Sequence, residues 1–337
     1  MGLKNLARSV LLVLMSKAAL AYGPQGHQYV GAIADELLSA SARKNVAEIL
    51  GVPLRVASTW ADCAKDVSWA DGKPSYRPDP RYHEGCKRFE SPQGIAELED
   101  FVGRNRDNCR RGKPQSDVCH KQYHYTDVAI QHGRYDRAYA GTSEQDVVAA
   151  VTAAIAVLQG KRAPAPFKIR DKREALLLLA HLVGDLYQPL HVGAVYLDRQ
   201  GQLVNPDDQR RLDPATNTRG GNSIRVGSKN MHADWDAVPK WIDPLSLDKA
   251  SLERARNVAV VGGSPESWPA QWASETVVAS QEAFKGVQFS YAAGTKPKWV
   301  AHFDDRKTYV QTKQRIQAEQ LEKAGARLAQ ILNAIWQ

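Results

Sequence analysis

The stretch Ala180-His181-Leu182-Val183-Gly184-Asp185-Leu186-Tyr187-Gln188-Pro189-Leu190-His191 follows a run of residues that is apolar on all sides. Such a run predicts a buried helix. Asp171 and Glu174 form a capping box in front of it, so we expect the helix to reach Leu186. Pro189 cannot continue the helix, and it lets His191 turn back toward the same region.

Two polar side chains of this helix are candidates for a functional role. His181 and Asp185 are four residues apart, about 40° around a helix axis, so both project from one face toward a common point. A buried carboxylate beside a histidine is costly unless it is ionically satisfied. Taken alone, the pair is as typical of a hydrogen bond as of a metal site.

A second pair with the same spacing strengthens the metal interpretation. It is formed by His232 and Asp236 in His232-Ala233-Asp234-Trp235-Asp236. Further side chains of the types that zinc prefers are Asp62 in Trp60-Ala61-Asp62, His124 in Tyr123-His124-Tyr125, and His27. Five of the nine histidines thus lie in polar or aromatic surroundings beside acids. Each one singly is typical of a hydrogen-bonded histidine, but their order and spacing together favour a metal centre.

Helical patterns extend along nearly the whole chain. Besides the helix above they cover residues 27–38, 143–158 and about 307–336. Strand patterns are few: Val192–Leu197 and Ser223–Val226 could pair as a small hairpin, with a polar surface insertion at about 197–219 between them. We therefore expect an all-α fold, a single mostly helical domain over residues 22–337 with a small β-hairpin.

Composition excludes several classes of protein. The 337 residues are 43% hydrophobic and 24% charged, an ordinary globular balance that rules out a disordered, collagen-like or multi-span membrane protein. The formal net charge of +8 permits polyanionic substrates without demanding them.

The first twenty-one residues have the order of a secretory signal peptide. Lys4 and Arg8 precede a short apolar run over residues 10–15, and Ala19-Leu20-Ala21 suits signal peptidase. The run is too short to cross a bilayer, and nothing polar faces it, which argues against the alternative of an amphipathic first helix. We expect cleavage before Tyr22 and a secreted or periplasmic protein. Removal of three cations and no acid lowers the net charge from +8 to +5.

The chain has four cysteines, Cys63, Cys86, Cys109 and Cys119. An exported chain meets an oxidising compartment, so two disulfides are expected, in one of three pairings. Because the set lacks a Cys-x-x-Cys knuckle, a thiolate zinc site is not expected.

Taken in order, the motifs resemble those of the trinuclear-zinc, single-strand-preferring nucleases. That family includes mung bean nuclease and the fungal S-one and P-one enzymes, with zinc-dependent phospholipases C as relatives. The resemblance rests on six segments between Tyr22 and Asp236: Tyr22-Gly23-Pro24-Gln25-Gly26-His27, Trp60-Ala61-Asp62, His124-Tyr125-Thr126-Asp127, residues 181–191, Gly220-Gly221-Asn222 and His232-Ala233-Asp234-Trp235-Asp236. The C-terminal hundred residues resemble the family only in being helical.

The resemblance implies three zinc ions. The first would be held by Asp62, His124, His181 and Asp185, and the second by His191, His232 and Asp236. The third would be held by His27, by the bridging carboxylate of Asp185, and by the α-amine and carbonyl oxygen of Tyr22. An α-amine is a ligand only when it is deprotonated and no residue precedes it, so removal of the leader would activate the protein.

Two departures from the family stand out. Tyr22 replaces the usual Trp, which affects ring packing more than ligation by backbone atoms. The insertion at about 197–219 is long beside the fungal forms and precedes Gly220, so it either reshapes the substrate cleft or is a solvated loop without a role.

The resemblance also implies roles in catalysis and substrate binding. Zinc lowers the pKa of water from about 15.7 to about 7, so a hydroxide can attack phosphorus without a side-chain nucleophile. Asp62 would orient that water, and Lys65 would lie near the phosphate, unless it is simply a surface lysine. Tyr125 would stack on a base, while Asp127 and Asn222 would bond its edge. Alternatively, Asp127 orients a zinc ligand.

These expectations describe a secreted, zinc-dependent endonuclease that cleaves single-stranded DNA and RNA to 5′-phosphorylated products, with 3′-nucleotidase activity as in the family. We expect a monomer without stable membrane association. A zinc-dependent phospholipase C is one alternative, and a catalytically silent, zinc-stabilised envelope binding protein is another. Asp127 and Gly220-Gly221-Asn222 favour the nuclease.

Overall fold

The computed structural model describes residues 22–80, 83–107, 119–208 and 212–337. The expected all-α class is confirmed, because the fold is 53% helical and its strands are short. The helices are α1 Pro24–Leu37, α2 Ala40–Leu50, α3 Leu54–Ala57, α4 Trp60–Ala64, α5 His83–Cys86, α6 Pro92–Asn105, α7 Val147–Leu158, α8 Lys172–Leu186, α9 Pro189–Val192, α10 Met231–Asp236, α11 Lys249–Arg256, α12 Trp268–Phe284 and α13 Arg306–Ile335. The strands are β1 Val67–Ala70, β2 Lys73–Tyr76, β3 Val128–Ala129, β4 Gly193–Ala194, β5 Ile224–Val226, β6 Lys229–Asn230, β7 Val287–Tyr291 and β8 Trp299–Phe303.

Helix α8 lies at the centre of the main hydrophobic core, as its apolar run predicts. Every residue from Glu174 to Leu186 is buried, and the helix packs against α7, α13 and α4. The Asp171 carboxylate accepts a hydrogen bond from the Glu174 amide at 2.9 Å. The second half of the expected capping box differs, because the Glu174 carboxylate accepts from the Arg170 amide instead. The site-bearing helix is therefore fixed by both its cap and its burial.

The other predicted helices are present with slightly different ends. Helix α1 begins at Pro24, a residue suited to a first helical turn, three residues before the predicted start. Helix α7 begins at Val147 because the Asp146 side chain accepts from the Ala149 amide and caps it. Helix α13 begins after Asp305, which caps it in the same way.

The expected pairing of Val192–Leu197 with Ser223–Val226 is wrong. Strand β4 pairs in parallel with β3. Strand β5 pairs with the adjacent β6 and, in parallel, with β8, giving a four-stranded sheet of order β6-β5-β8-β7. The pairing failed because the apolar pattern of a two- or three-residue strand does not specify a distant partner. The hairpin of β7 and β8, in the C-terminal hundred residues, was not predicted.

One disulfide joins Cys63 at the end of α4 to Cys86 at the end of α5. Among the described residues no cysteine is free, and Cys109 lies outside the described ranges. The predicted signal peptide, residues 1–21, also lies outside them. None of the helices in the described ranges is both long and apolar enough to cross a membrane.

Candidate metal centre

Five histidines and three aspartates from six parts of the chain converge in the interior. All eight side chains are buried, with at most 6% of any residue exposed. They come from α1, α4, the 3₁₀ turn Cys119–His124, α8, α9 and α10: His27, Asp62, His124, His181, Asp185, His191, His232 and Asp236. The eight side chains that the sequence singles out as ligands therefore meet in one place.

The eight residues form three groups, in each of which the nitrogen or carboxylate oxygen atoms lie within 4.8 Å of one another. The groups are His27 with His181 and Asp185, Asp62 with His124 and His181, and His191 with His232 and Asp236. The first two groups share His181, whose ring stacks on that of His27 with centroids 3.7 Å apart. Three adjacent cation sites are thus geometrically available.

Asp185 is the hub of this arrangement. Its Oδ2 atom lies 2.8 Å from His124 Nδ1 and 3.0 Å from His181 Nε2. Its Oδ1 atom lies 3.5 Å from His27 Nε2 and 3.4 Å from His191 Nδ1. Although burial raises the pKa of this carboxyl, the imidazoles of His181, His191 and His124 hold it well below its usual range. The group is therefore a carboxylate that can serve two neighbouring cations.

Main-chain carbonyls orient three of the imidazoles. The Nδ1 atoms donate to carbonyl oxygens in three pairs: His181 to Ser58 (2.7 Å), His191 to His124 (2.6 Å) and His232 to Gly220 (2.7 Å). This fixes the tautomer and leaves each Nε2 lone pair to face the centre. The Gln188 side chain does the same for a carboxylate, donating to Asp236 Oδ1 at 2.6 Å.

The donor set fits zinc. Both ring nitrogens of His27, Asp62 Oδ2, Asp185 Oδ1 and Asp236 Oδ2 are buried without a hydrogen-bond partner in the described structure. Such atoms cost free energy unless a cation or donor satisfies them. Burial lowers the pKa of His27, His124 and His232 well below the usual value, so these rings are neutral, as ligands must be. Imidazole nitrogen and carboxylate oxygen are the usual ligands of catalytic zinc sites.

Lys65, the residue after α4, places a cation beside this centre. Its Nζ atom lies 2.7 Å from Asp62 Oδ1, and the side chain is only 16% exposed. Burial lowers the pKa of this ammonium group, but Asp62 and Asp185 raise it above its ordinary value overall. The group is therefore held charged at the edge of the donor cluster.

Tyr22 lies close to the same centre. Its side chain is fully buried, and the next residue, Gly23, donates its amide to the carbonyl oxygen of Asp236 at 3.2 Å. The start of the predicted mature chain is thus joined to helix α10, which carries two of the eight clustered residues.

The expected base-pocket residues occupy different environments. Tyr125 is 39% exposed, Asp127 is buried, and Asn222 is half-buried. The Asp127 carboxylate accepts from Asn217 Nδ2 at 3.3 Å and from the Gly220 amide. The Asn222 amide group donates to the Arg219 carbonyl at 2.9 Å. The loop 217–222 therefore contains Asn222 and also supplies the hydrogen bonds to Asp127. Tyr125 presents part of its ring to solvent.

Two positions that sequence analysis missed support the centre, Gln188 and Gly184. A Cβ atom added to Gly184 would lie 2.8 Å from His27 Nδ1, so a glycine is needed for the two rings of His27 and His181 to stack beside α8. The sequence alone does not indicate this requirement for glycine, because a glycine within a helix does not reveal which residue of another helix packs against it. Gln188, three residues before His191, could have been suspected as an orienting residue.

Gly184→Ala is expected to lower both the zinc content and Tm. Helix propensity alone would raise stability by about 1 kcal/mol, whereas overpacking against a buried ring costs about 1–3 kcal/mol. Gly103→Ala in α6 is the matched control, since its Cβ would lie 3.5 Å from Pro74, an ordinary contact. Elemental analysis and thermal melts of both variants provide the measurement. A Gly184→Ala protein with full zinc and a raised Tm would contradict the packing argument.

Comparison with known proteins agrees with this geometry. The family model described as S1/P1 Nuclease matches residues 22–337. Endonuclease 2 of Arabidopsis thaliana is 24% identical over 330 residues, covering 94% of this chain and 90% of that protein. Endonuclease 4 of the same plant is 24% identical over 251 residues, covering 70% of this chain and 72% of that protein. Because the family match extends over residues 22–337, the chain is a nuclease and belongs to the S1/P1 nuclease family.

Proposed function

We propose that this nuclease is an exported, zinc-dependent endonuclease that cleaves single-stranded DNA and RNA and leaves 5′-phosphorylated products, with 3′-nucleotidase activity at the same centre. The observation that carries the proposal is the convergence of five imidazoles and three carboxylates in three groups. The family is zinc-dependent in general, and nuclease activity implies a nucleic acid substrate.

We assign three zinc ions to the centre, with the ligands that the resemblance implies. Asp185 would bridge two of them, since its two oxygens face different imidazoles. The third ion would also take the amine and carbonyl oxygen of Tyr22. Zinc bound here would supply an ionised water near neutral pH and would neutralise charge on the phosphate.

The protein's own groups would bind and orient the reactants. Asp62 Oδ2 has no hydrogen-bond partner within the described ranges. It could accept a hydrogen bond from a water molecule, which suits it to orient the attacking water. The Lys65 ammonium group, held by Asp62, would attract a phosphate oxygen. Removing either group should reduce the rate of cleavage because positioned charge provides much of the catalysis of phosphoryl transfer.

Preference for single strands would come from the pocket beside the centre. The exposed ring of Tyr125 can stack on an unpaired base, and the Asp127 carboxylate can accept from the amino group of a base edge. A duplex hides both surfaces. The same pocket favours a nuclease over a phospholipase C, because a lipid headgroup offers neither a flat ring nor a base edge.

Substrate affinity is expected to fall as the pH drops below 6. Burial raises the pKa of Asp127 to about 6, although hydrogen bonds from Asn217 and Gly220 and the charge of Arg219 oppose the shift. The carboxyl is therefore charged above pH 6 and neutral below it, so KM should rise by up to about tenfold between pH 7 and pH 5. Asp127→Asn should have a nearly constant KM over this range. A wild-type KM that does not change with pH would contradict this role.

The substrate class can be tested with purified protein that begins at Tyr22. Cleavage is measured on single-stranded DNA, single-stranded RNA, duplex DNA and a phosphatidylcholine emulsion, each with and without a chelator. We expect chelator-sensitive cleavage of both single strands and much slower cleavage of the duplex. Lipid hydrolysis without nucleic acid cleavage would favour the phospholipase, and no chelator-sensitive hydrolysis of any substrate would leave only a binding protein.

The disulfide and the centre also bear on where the protein is located and how it assembles. The Cys63–Cys86 disulfide suits an oxidising compartment, in agreement with a leader ahead of Tyr22 and a secreted or periplasmic enzyme. We propose a monomer, because all eight clustered residues come from one chain.

A further inference from the structure

The insertion at about 197–219 is fixed to the rest of the fold at several points. Its start and end meet in the bridge between Tyr196 and Asn217. The Asp207 carboxylate accepts from His132 Nε2 and from the Ala140 amide, both at 2.7 Å. The described part of the insertion is therefore held in place by contacts with the rest of the fold and is not a solvated loop.

The end of the insertion closes around the Asp127 carboxylate. Asn217 donates its Nδ2 to Asp127 Oδ2 at 3.3 Å, and its Oδ1 accepts from the Arg219 amide at 2.5 Å. The Gly220 amide also donates to Asp127. Arg219 thus lies in a short turn between Asn217 and Gly220. Both of these residues donate a hydrogen bond to the proposed base-binding carboxylate of Asp127.

The backbone of Arg219 has an unusual conformation for its residue type. Its φ of 57° lies in the left-handed region, which is unfavourable for a residue that carries a Cβ atom. The next residue, Gly220, has a φ of 55°, and its carbonyl oxygen accepts from His232 Nδ1. A Cβ at Gly220 would lie 2.2 Å from the Leu190 carbonyl oxygen, so the turn packs against α9 too closely for any side chain at this position. The position of Arg219 is therefore set by both the pocket and the metal centre.

The Arg219 side chain is exposed and available for binding. Within the described ranges its guanidinium makes no hydrogen bond or ion pair, yet its charge acts on the Asp127 carboxyl. A guanidinium presents five donors that match a phosphate in a bidentate manner. A nucleotide whose base lies against Asp127 would bring its backbone close to this cation.

We propose that Arg219 is a substrate-binding residue that contacts a phosphate of the single strand next to the nucleotide held at Asp127. The proposal rests on the proposed nuclease function and deepens it. It predicts that the insertion contributes affinity for the strand independently of base identity, since phosphate contacts carry no sequence information.

The test uses the zinc-loaded protein, with steady-state cleavage of dT and dA homopolymers measured at several salt concentrations. Arg219→Gly removes the cation and suits the left-handed backbone, so Tm should stay equal or rise. We expect KM to increase about fivefold to tenfold at low salt, equally for both homopolymers. The slope of log KM against log salt should become shallower by about 0.7.

Arg199→Gly is the matched control. Arg199 is an exposed arginine of the same insertion, on the turn whose Asp198 carbonyl accepts from the Trp299 indole, and the cation that acts on the Asp127 carboxyl is Arg219 instead. This variant loses the same charge and should keep the wild-type KM and salt slope. Arg219→Lys should retain part of the affinity.

Three outcomes would overturn the inference alone: an Arg219→Gly enzyme with the wild-type KM and salt slope, an equal effect of Arg199→Gly, or a loss confined to one base, which would indicate contact with the base edge. A wild-type enzyme that cleaves neither homopolymer would instead overturn the proposed function, and this inference with it.

Discussion

Asp185→Asn is expected to lower the rate of single-strand cleavage by about 10³-fold or more, and Asp236→Asn by about 10²-fold. Asp185 approaches four imidazoles at 2.8 to 3.5 Å and would serve two ions. Asp236 lies 3.7 Å from His232 and 3.9 Å from His191 and would serve one. The loss of one negative charge should therefore disturb more of the centre at Asp185.

The two variants form a matched pair, since each exchanges a buried carboxylate for an amide of the same shape. The measurement is kcat on a single-stranded oligonucleotide together with the zinc content of each protein. We expect Asp185→Asn to lose more than one ion per chain and Asp236→Asn to lose one. Equal losses of activity and zinc would contradict a bridging role for Asp185, and Tm values near wild type would show that both variants fold.

Retaining a single residue ahead of Tyr22 is expected to reduce the zinc content from about three ions to about two and to lower activity by about 10²-fold. An amide nitrogen in place of an α-amine cannot ligate a cation without losing a proton that it holds tightly. The amide of Gly23 is bonded to the Asp236 carbonyl, so the start of the chain has little freedom to move away.

The control for this experiment is Tyr22→Trp in a chain without the extension. Because backbone atoms would ligate, a change of ring should keep all three ions and most of the activity. The comparison is made by elemental analysis of two proteins, one that retains a residue ahead of Tyr22 and one that begins at Tyr22. Full zinc occupancy in the extended protein would contradict ligation by the terminal amine.

Much of the centre could be predicted from local patterns. His181 and Asp185 lie on one face of α8 because of helical spacing, and the same holds for His232 and Asp236 on α10. The remaining side chains of the group were located by their residue types and order. That His27 stacks on His181 could not be predicted, since it depends on how α1 crosses α8.

The pairing of the strands and the residues that position the site could not be predicted from local sequence patterns. Strand β5 pairs with β8 across about seventy residues, and a three-residue strand carries too little pattern to identify that partner. Gly184 is required only because the His27 ring lies against it, and Asn217 and Arg219 gain their importance from a carboxylate ninety residues earlier. Residues that act through distant contacts leave no periodic signal in the sequence.

In the proposed mechanism, the converging imidazoles and carboxylates hold the zinc that performs the cleavage. The decisive experiment counts metal in purified protein that begins at Tyr22 while following single-strand cleavage through chelation and re-addition of zinc. We expect about three zinc ions per chain, loss of cleavage with the chelator, and recovery with zinc. A protein that cleaves single strands equally well with less than one zinc ion per chain would contradict it.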